Sequence, residues 1–283
     1  MGAGDVENGV LNRWFHLKKN KPGPWVAGIL NITPDSFYDG GDYLSENEQL
    51  KKSEQMISEG ADMIDIGAVS TRPGAAGVSL SEEQERLRPV IDKIRYHFPD
   101  VLISVDTSRS EIARMAIGQG ADLINDVYAG RFDPLMLPTV AELKVPIVMM
   151  HMKGTPSTMQ DNPVYRDVVS EVCYFFEQMM SKCRDTGVSE MILDPGFGFG
   201  KNLADNYRLL HGLDQIAEMG YPVMVGFSRK SMIRNALGVG VDRALNGTTI
   251  LNTIAVLKGA SILRVHDVEE ACEVIRLFSL TTK

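Results

Sequence analysis

Cysteine is scarce: the 283-residue chain holds only Cys173, Cys183 and Cys272, with no CxxC pair and no metal-ligand spacing among them. That excludes a disulfide scaffold, leaves each thiol as structural filling and points to a reduced, cytoplasmic setting. No histidine sits in an HxH or HExxH arrangement, so a cage of protein ligands around a transition metal is not expected. Positive charge is also short, with 29 Lys and Arg against 37 Asp and Glu for a formal net charge of -8. Such a balance argues against nucleic acid or an anionic membrane as partner, and any phosphate site must be local. No apolar run approaches the roughly 18 residues of a membrane span, and Met1 to Lys21 are polar and acidic without an apolar core, so neither a span nor a signal peptide is expected. No Pro/Ser-rich or low-complexity stretch divides the chain, which predicts one domain over 23–283 behind a lead-in of residues 1–22.

What is present is alternation. With 44% hydrophobic residues the chain can bury a full core. Eight short apolar runs read as strands: Trp25 to Asn31, Met63 to Ala68, Val101 to Thr107, Leu123 to Val127, Pro146 to Met152, Met191 to Gly196, Pro222 to Ser228 and Ile262 to Asp267. Amphipathic segments separate them, with capping-box spacing at Ser45 to Glu48 and Ser81 to Gln84 and helix stops at Gly60 and Gly120. Eight βα units predict an α/β fold, a single (β/α)8 TIM barrel with its active site at the C-terminal ends of the strands. An internal echo supports this, because Gly60-Ala61-Asp62, Gly120-Ala121-Asp122 and Gly259-Ala260-Ser261 each open a strand. Five residues beyond each glycine stand Asp65, Asn125 and Arg264, at equal depth on even-numbered strands. Three polar groups in one interior layer are costly unless a ligand or mutual pairing satisfies them.

Polar residues gather where the runs end. Asp106, Asn125, Asp126 and Asp194 close strands three, four and six, and such acceptors and amides suit a heterocycle bearing an amino group and ring nitrogens. In Asp194-Pro195-Gly196-Phe197-Gly198-Phe199-Gly200-Lys201 a strand-end carboxylate, three glycines and a lysine leading into a helix read as a pocket for a flat, anionic substrate. Lys201 precedes Asn202 rather than Ser or Thr, so the segment is not a nucleotide loop. The glycine-rich loops after strands one and two suit a lid, with Asp35 a hard oxygen ligand for magnesium, Arg72 a fork for phosphate or carboxylate and Phe37 an apolar cover. Lys230, Arg264 and His266 add positive or potentially positive groups at the end where barrels hold phosphate. His151 reads as an interior or supporting histidine, and Met149, Met150 and Met152 as wall and core.

The ordered segments GILNITPDSF, STRPGA, SVDTS, INDV, MHMKGTP, ILDPGFGFGK, GFSRKS and RVHDV, which run from Trp25 nearly to the end of the chain, resemble the dihydropteroate synthase family. The resemblance implies a transferase of folate biosynthesis that joins 6-hydroxymethyl-7,8-dihydropterin diphosphate to para-aminobenzoate, releases diphosphate, is the target of sulfonamides and works as a homodimer through helices on the far side of the barrel. It implies a pterin pocket of Asp106, Asn125, Asp194 and Lys230, with Asp65 and Met150 around it, and a diphosphate site of Asn31, Arg72, Arg264 and His266. Thr71, Pro73, Phe199, Lys230 and Ser231 match the para-aminobenzoate pocket, the substrate carboxylate lying near Ser231 at a helix N-terminus. Asn31 and Asp35 would meet magnesium, and Asp35, Arg72 and Lys230 would be the catalytic residues. The family favours departure of diphosphate before attack, although a concerted displacement stays open. One position departs from the pattern: Val69 stands where the family usually has Glu. Folate-to-corrinoid methyltransferases share this barrel but lack the STRPG loop, and a non-catalytic pterin binder has only Val69 in its favour.

Overall fold

The computed structural model describes residues 13–14, 16–21, 23–32, 45–69, 78–154, 159 and 163–281. Its eight strands are β1 (Trp25–Asn31), β2 (Met63–Gly67), β3 (Leu102–Asp106), β4 (Leu123–Asp126), β5 (Ile147–Met150), β6 (Met191–Asp194), β7 (Met224–Val225) and β8 (Ile262–Val265). They run parallel in the order β6-β5-β4-β3-β2-β1-β8-β7. A parallel bridge from Leu193 to Val223 joins the two ends, supported by the Leu193 N–H donating to Pro222 O at 2.9 Å. The predicted TIM barrel is therefore the observed one. Most strands stop one to three residues short of the predicted limits, β7 most of all. The trailing residues leave the ladder to build loops at the C-terminal face.

Helices cover the outside of the sheet: α1 (Glu46–Ser58), α2 (Leu80–His97), α3 (Ser110–Gly118), α4 (Met136–Leu143), α5 (Val168–Thr186), α6 (Leu203–His211), α7 (Leu213–Ala217), α8 (Ser231–Leu237), α9 (Leu245–Leu257) and α10 (Val268–Thr281). The box at Ser45 and Glu48 caps α1 as predicted, but the one opening α2 is formed by Ser79 and Glu82 rather than Ser81 and Gln84. Ser81 is already inside the helix, where its hydroxyl donates to Glu85 one turn on at 3.1 Å. Helices α1 and α3 end just before Gly60 and Gly120, which open the turns into β2 and β4.

Strand alternation divides the core in two. Side chains facing the helices, among them Leu30, Ile64, Val105, Ile124, Leu193 and Leu263, form the main apolar layer. Those facing the barrel axis begin with a separate apolar plug of Trp25, Met63, Leu102, Leu123, Ile192 and Ile262. Residues 13–14 and 16–20 are helical, and buried Trp14 seals that plug edge-on to Trp25, ring centroids 5.2 Å apart. Arg13 and Arg95 both pair at 2.6 Å with Asp122, which also accepts from Ile103 N, so a buried acid ties the closing segment to the barrel. One step higher on the same inward faces the residues turn polar, and the site starts there.

Candidate active site

The three polar groups at equal depth are bonded to one another. Asp65 on β2 accepts from Asn125 Nδ2 on β4 at 3.2 and 3.3 Å and from Arg264 Nε on β8 at 2.7 Å. Mutual pairing thus satisfies the layer, with fully buried Asp65 as its hub. Burial opposes the charge on Arg264, but Asp65 and Asp106 outweigh it and hold the guanidinium above its usual pKa. Arg264 Nη2 also stands 3.5 Å from Asp106 Oδ2. Burial first, then the nearby Asp65 carboxylate, raises Asp106 to about 7 against the pull of Arg264. Asn31, half-buried at the end of β1, belongs to the same mouth, since a Cβ on Gly67 would lie 3.8 Å from both its Oδ1 and Asp106 Cβ.

Across the barrel, Asp194 ends β6 beside Met150 of β5, its register partner. Its Oδ1 accepts from Gly196 N at 2.8 Å; burial raises its pKa, opposed by the charge of Lys230 and by that hydrogen bond. Lys230 donates to Phe197 O at 2.6 Å, and its Nζ lies 4.7 Å from the centroid of the Phe199 ring. Burial lowers this lysine to about 8, against the opposing effect of Asp194. Met150 forms a small apolar wall with Val127, Met152 and Met159, on which Phe199 packs. Ser231 is exposed at the first turn of α8, a helix of seven residues. Asp35, Thr71, Arg72 and Pro73, together with Phe37, lie outside the described residues.

Three readings of the sequence need correction. Asp126 does not join the converging acids: one residue past inward-facing Asn125, it takes the opposite face of β4 and accepts from Tyr128 N and Gly130 N at 2.9 and 2.6 Å. His266 is not a cation, because burial and then Arg264 lower it to about 3, and its Nδ1 lies 2.9 Å from Ser228 Oγ. Lys201 does not face a substrate pocket. It is buried behind the β6 loop with Nζ 2.9 Å from Gly196 O, 3.0 Å from Phe199 O and 3.0 Å from His151 Nδ1. His151 is the interior histidine expected, lowered to about 2 by burial and then by Lys201.

Sequence reasoning passed over Arg229. Its backbone is left-handed at φ 55, its N–H donates to Thr248 Oγ1 at 3.1 Å and its Nε to Asp267 at 2.9 Å, fixing the turn from which Lys230 projects. The Arg within GFSRKS and the Asp within RVHDV were the available signal, but nothing in their spacing showed that they pair.

Residues 27–266 match the family model described as pterin binding enzyme. The dihydropteroate synthase of Escherichia coli (strain K12) is 46% identical over 260 residues, 91% of this chain and 92% of that protein. Among solved structures, the Yersinia pestis dihydropteroate synthase in a sulfonamide drug complex superposes with a TM-score of 0.88 at 41% identity, covering 92% of this chain and 94% of the other. The Xanthomonas albilineans dihydropteroate synthase with 4-aminobenzoic acid gives 0.85 at 39% identity, covering 92% and 94%. A barrel mouth lined by paired acids, an amide and half-buried cations, carried by a chain this similar over nearly its whole length, belongs to the dihydropteroate synthases, a family of transferases among the pterin-binding enzymes.

Proposed function

We propose that this chain performs the family's reaction with the residues assembled at its barrel mouth, joining 6-hydroxymethyl-7,8-dihydropterin diphosphate to para-aminobenzoate to give 7,8-dihydropteroate and diphosphate. The observation that carries the reading is the set of hydrogen-bonding groups gathered at the barrel mouth: buried Asn125 and Asp194 with half-buried Asp106, Lys230 and Arg264. Asp194 and Asn125 offer acceptors and a donor to the amino and ring N–H edge of a pterin, Lys230 donates toward its oxygen and nitrogen, and Asp65 and Met150 hold and wall the pocket. Arg264 and neutral His266, with Asn31 and Arg72, receive the diphosphate. Phe199, Lys230 and Ser231, with Thr71 and Pro73, receive the aromatic amine.

In this reading the bond from the pterin methylene carbon to the diphosphate oxygen breaks first, the electron pair leaving with diphosphate. The amine nitrogen then attacks the resulting cation and loses a proton. No protein nucleophile takes part, so Asp35, Arg72 and Lys230 act by position and charge. Asn31 offers a hard amide oxygen at the mouth, beside Gly67 and Asp106, which suits a magnesium ion. Such an ion would be held by Asn31, Asp35 and substrate oxygens, the usual habit of magnesium. When bound it would neutralise charge on the leaving group.

No helix among the described residues is long and apolar enough to cross a membrane, and the three free cysteines suit a cytoplasmic setting. Exposed Ile250, Ile254 and Leu257 on α9 and Leu277 and Leu280 on α10 form the face we assign to a homodimer. The catalytic reading is tested by supplying both substrates with magnesium and following dihydropteroate. Product from the native chain and its loss in Asp194→Asn, which puts an N–H where an acceptor is needed, is the expected result; full activity in that variant would remove Asp194 from the pterin pocket.

A further inference from the structure

We infer that Lys201, acting with His151, is a positioning residue that shapes the para-aminobenzoate side of the site by holding the turn at 196–199. Its ammonium has three hydrogens and three close acceptors, Gly196 O, Phe199 O and His151 Nδ1, at 2.9 to 3.0 Å. This geometry gives each lysine hydrogen an acceptor, while burial lowers the lysine to about 7; with His151 Nδ1 as the acceptor, the neutral histidine carries its proton on Nε2. Two of the three acceptors are carbonyls at either end of the turn, so the buried ammonium draws both inward. That turn carries the groups Lys230 touches: Phe197 O accepts from it and the Phe199 ring lies beneath it.

The turn has little freedom to find this shape alone. Gly196 and Gly200 are left-handed at φ +67 and +59, and a Cβ on them would meet His151 O at 2.0 Å and Lys153 O at 2.5 Å. The close approach of the 151–153 backbone and the inward carbonyls are two sides of one arrangement with Lys201 at its centre. Lys201 meets the assigned substrate residues only through the Phe199 backbone carbonyl, so its effect on the reaction passes through Phe199 and Lys230. The inference rests on the reading that those two residues receive the aromatic amine.

The experiment compares Lys201→Met and His151→Phe with Phe199→Ala as a reference, measuring KM for para-aminobenzoate, kcat and the dissociation constant of the pterin diphosphate in each. Displacing a binding element by about 1 Å costs up to roughly a hundredfold, and we expect KM for para-aminobenzoate to rise about tenfold in Lys201→Met and about threefold in His151→Phe. Pterin diphosphate affinity should stay within about threefold of native, a split that general loss of structure would not produce. If Lys201→Met does not fold, the single lost acceptor in His151→Phe carries the test. An unchanged KM in every folded variant, with Phe199→Ala raising it, overturns the positioning role. An unchanged KM in Phe199→Ala itself overturns the site reading instead.

Discussion

Lys230 concentrates the chemistry of the site because it stands half-buried between Asp194, the Phe197 carbonyl and the Phe199 ring. Its pKa is lowered to about 8 by desolvation, so the cation is present at neutral pH and lost as pH rises through that value. If the charge is what the reaction uses, kcat/KM falls on the alkaline side with an apparent pKa near the same value, and Lys230→Arg moves that limb upward. A pH profile flat from 7 to about 9 would show that the charge is not needed. Lys230→Ala should fold and lose about a hundredfold or more in kcat/KM, the scale of removing one preorganised electrostatic group; near-native turnover would refute its role. Asp65 is different in kind. It is buried and bonded to Asn125 and Arg264, so Asp65→Ala leaves a half-buried guanidinium without its nearest partner and should cost about 3 kcal/mol of stability, read from urea denaturation. The placement of several of these residues was legible from residue type and strand-end position. Lys201 was not, since a sequence does not reveal that a lysine will turn back onto the carbonyls of its own loop.

At the scale of elements, the two-residue period decided most of what could be read in advance. Met63 and Asp65 face the axis, as do Leu123 and Asn125, whereas Ile64 and Ile124 face the helices. The same period turns Asp126 away from Asn125, and attention to phase would have separated the two acids. Helix starts were less legible where serines crowd together. Ser79 and Ser81 both precede acidic or amide residues at the right distance, and only the backbone conformation selects Ser79. Ser79→Ala should therefore cost about 1 kcal/mol and Ser81→Ala no more than about 0.5 kcal/mol, a contrast that thermal melts of the two variants would resolve. Equal losses would contradict the observed cap. Asp35, Thr71, Arg72 and Pro73 lie outside the described residues, and their proposed roles rest on the order of the motifs along the chain.

Over the whole molecule, the barrel is apolar and sealed at one end and polar at the other, a gradient set by the inward residues of eight strands. Trp14 closes the first end and the Asp65 layer opens the second. The apolar faces of α9 and α10 should make the protein a dimer by sedimentation, and Ile254→Glu with Leu257→Glu should yield a folded monomer; a native chain that sediments as a monomer would remove that assignment. Sulfonamides should compete with para-aminobenzoate, because a sulfonyl group can take the place of a carboxylate beside Lys230 and Ser231, and purely noncompetitive inhibition would contradict it. The most direct test of the central claim is diphosphate release measured with magnesium and dihydropterin diphosphate, in the presence and absence of para-aminobenzoate. One diphosphate per dihydropteroate with both substrates, and far slower release without the amine, is the predicted result. Pterin binding with no product, or diphosphate release that never yields dihydropteroate, would contradict it.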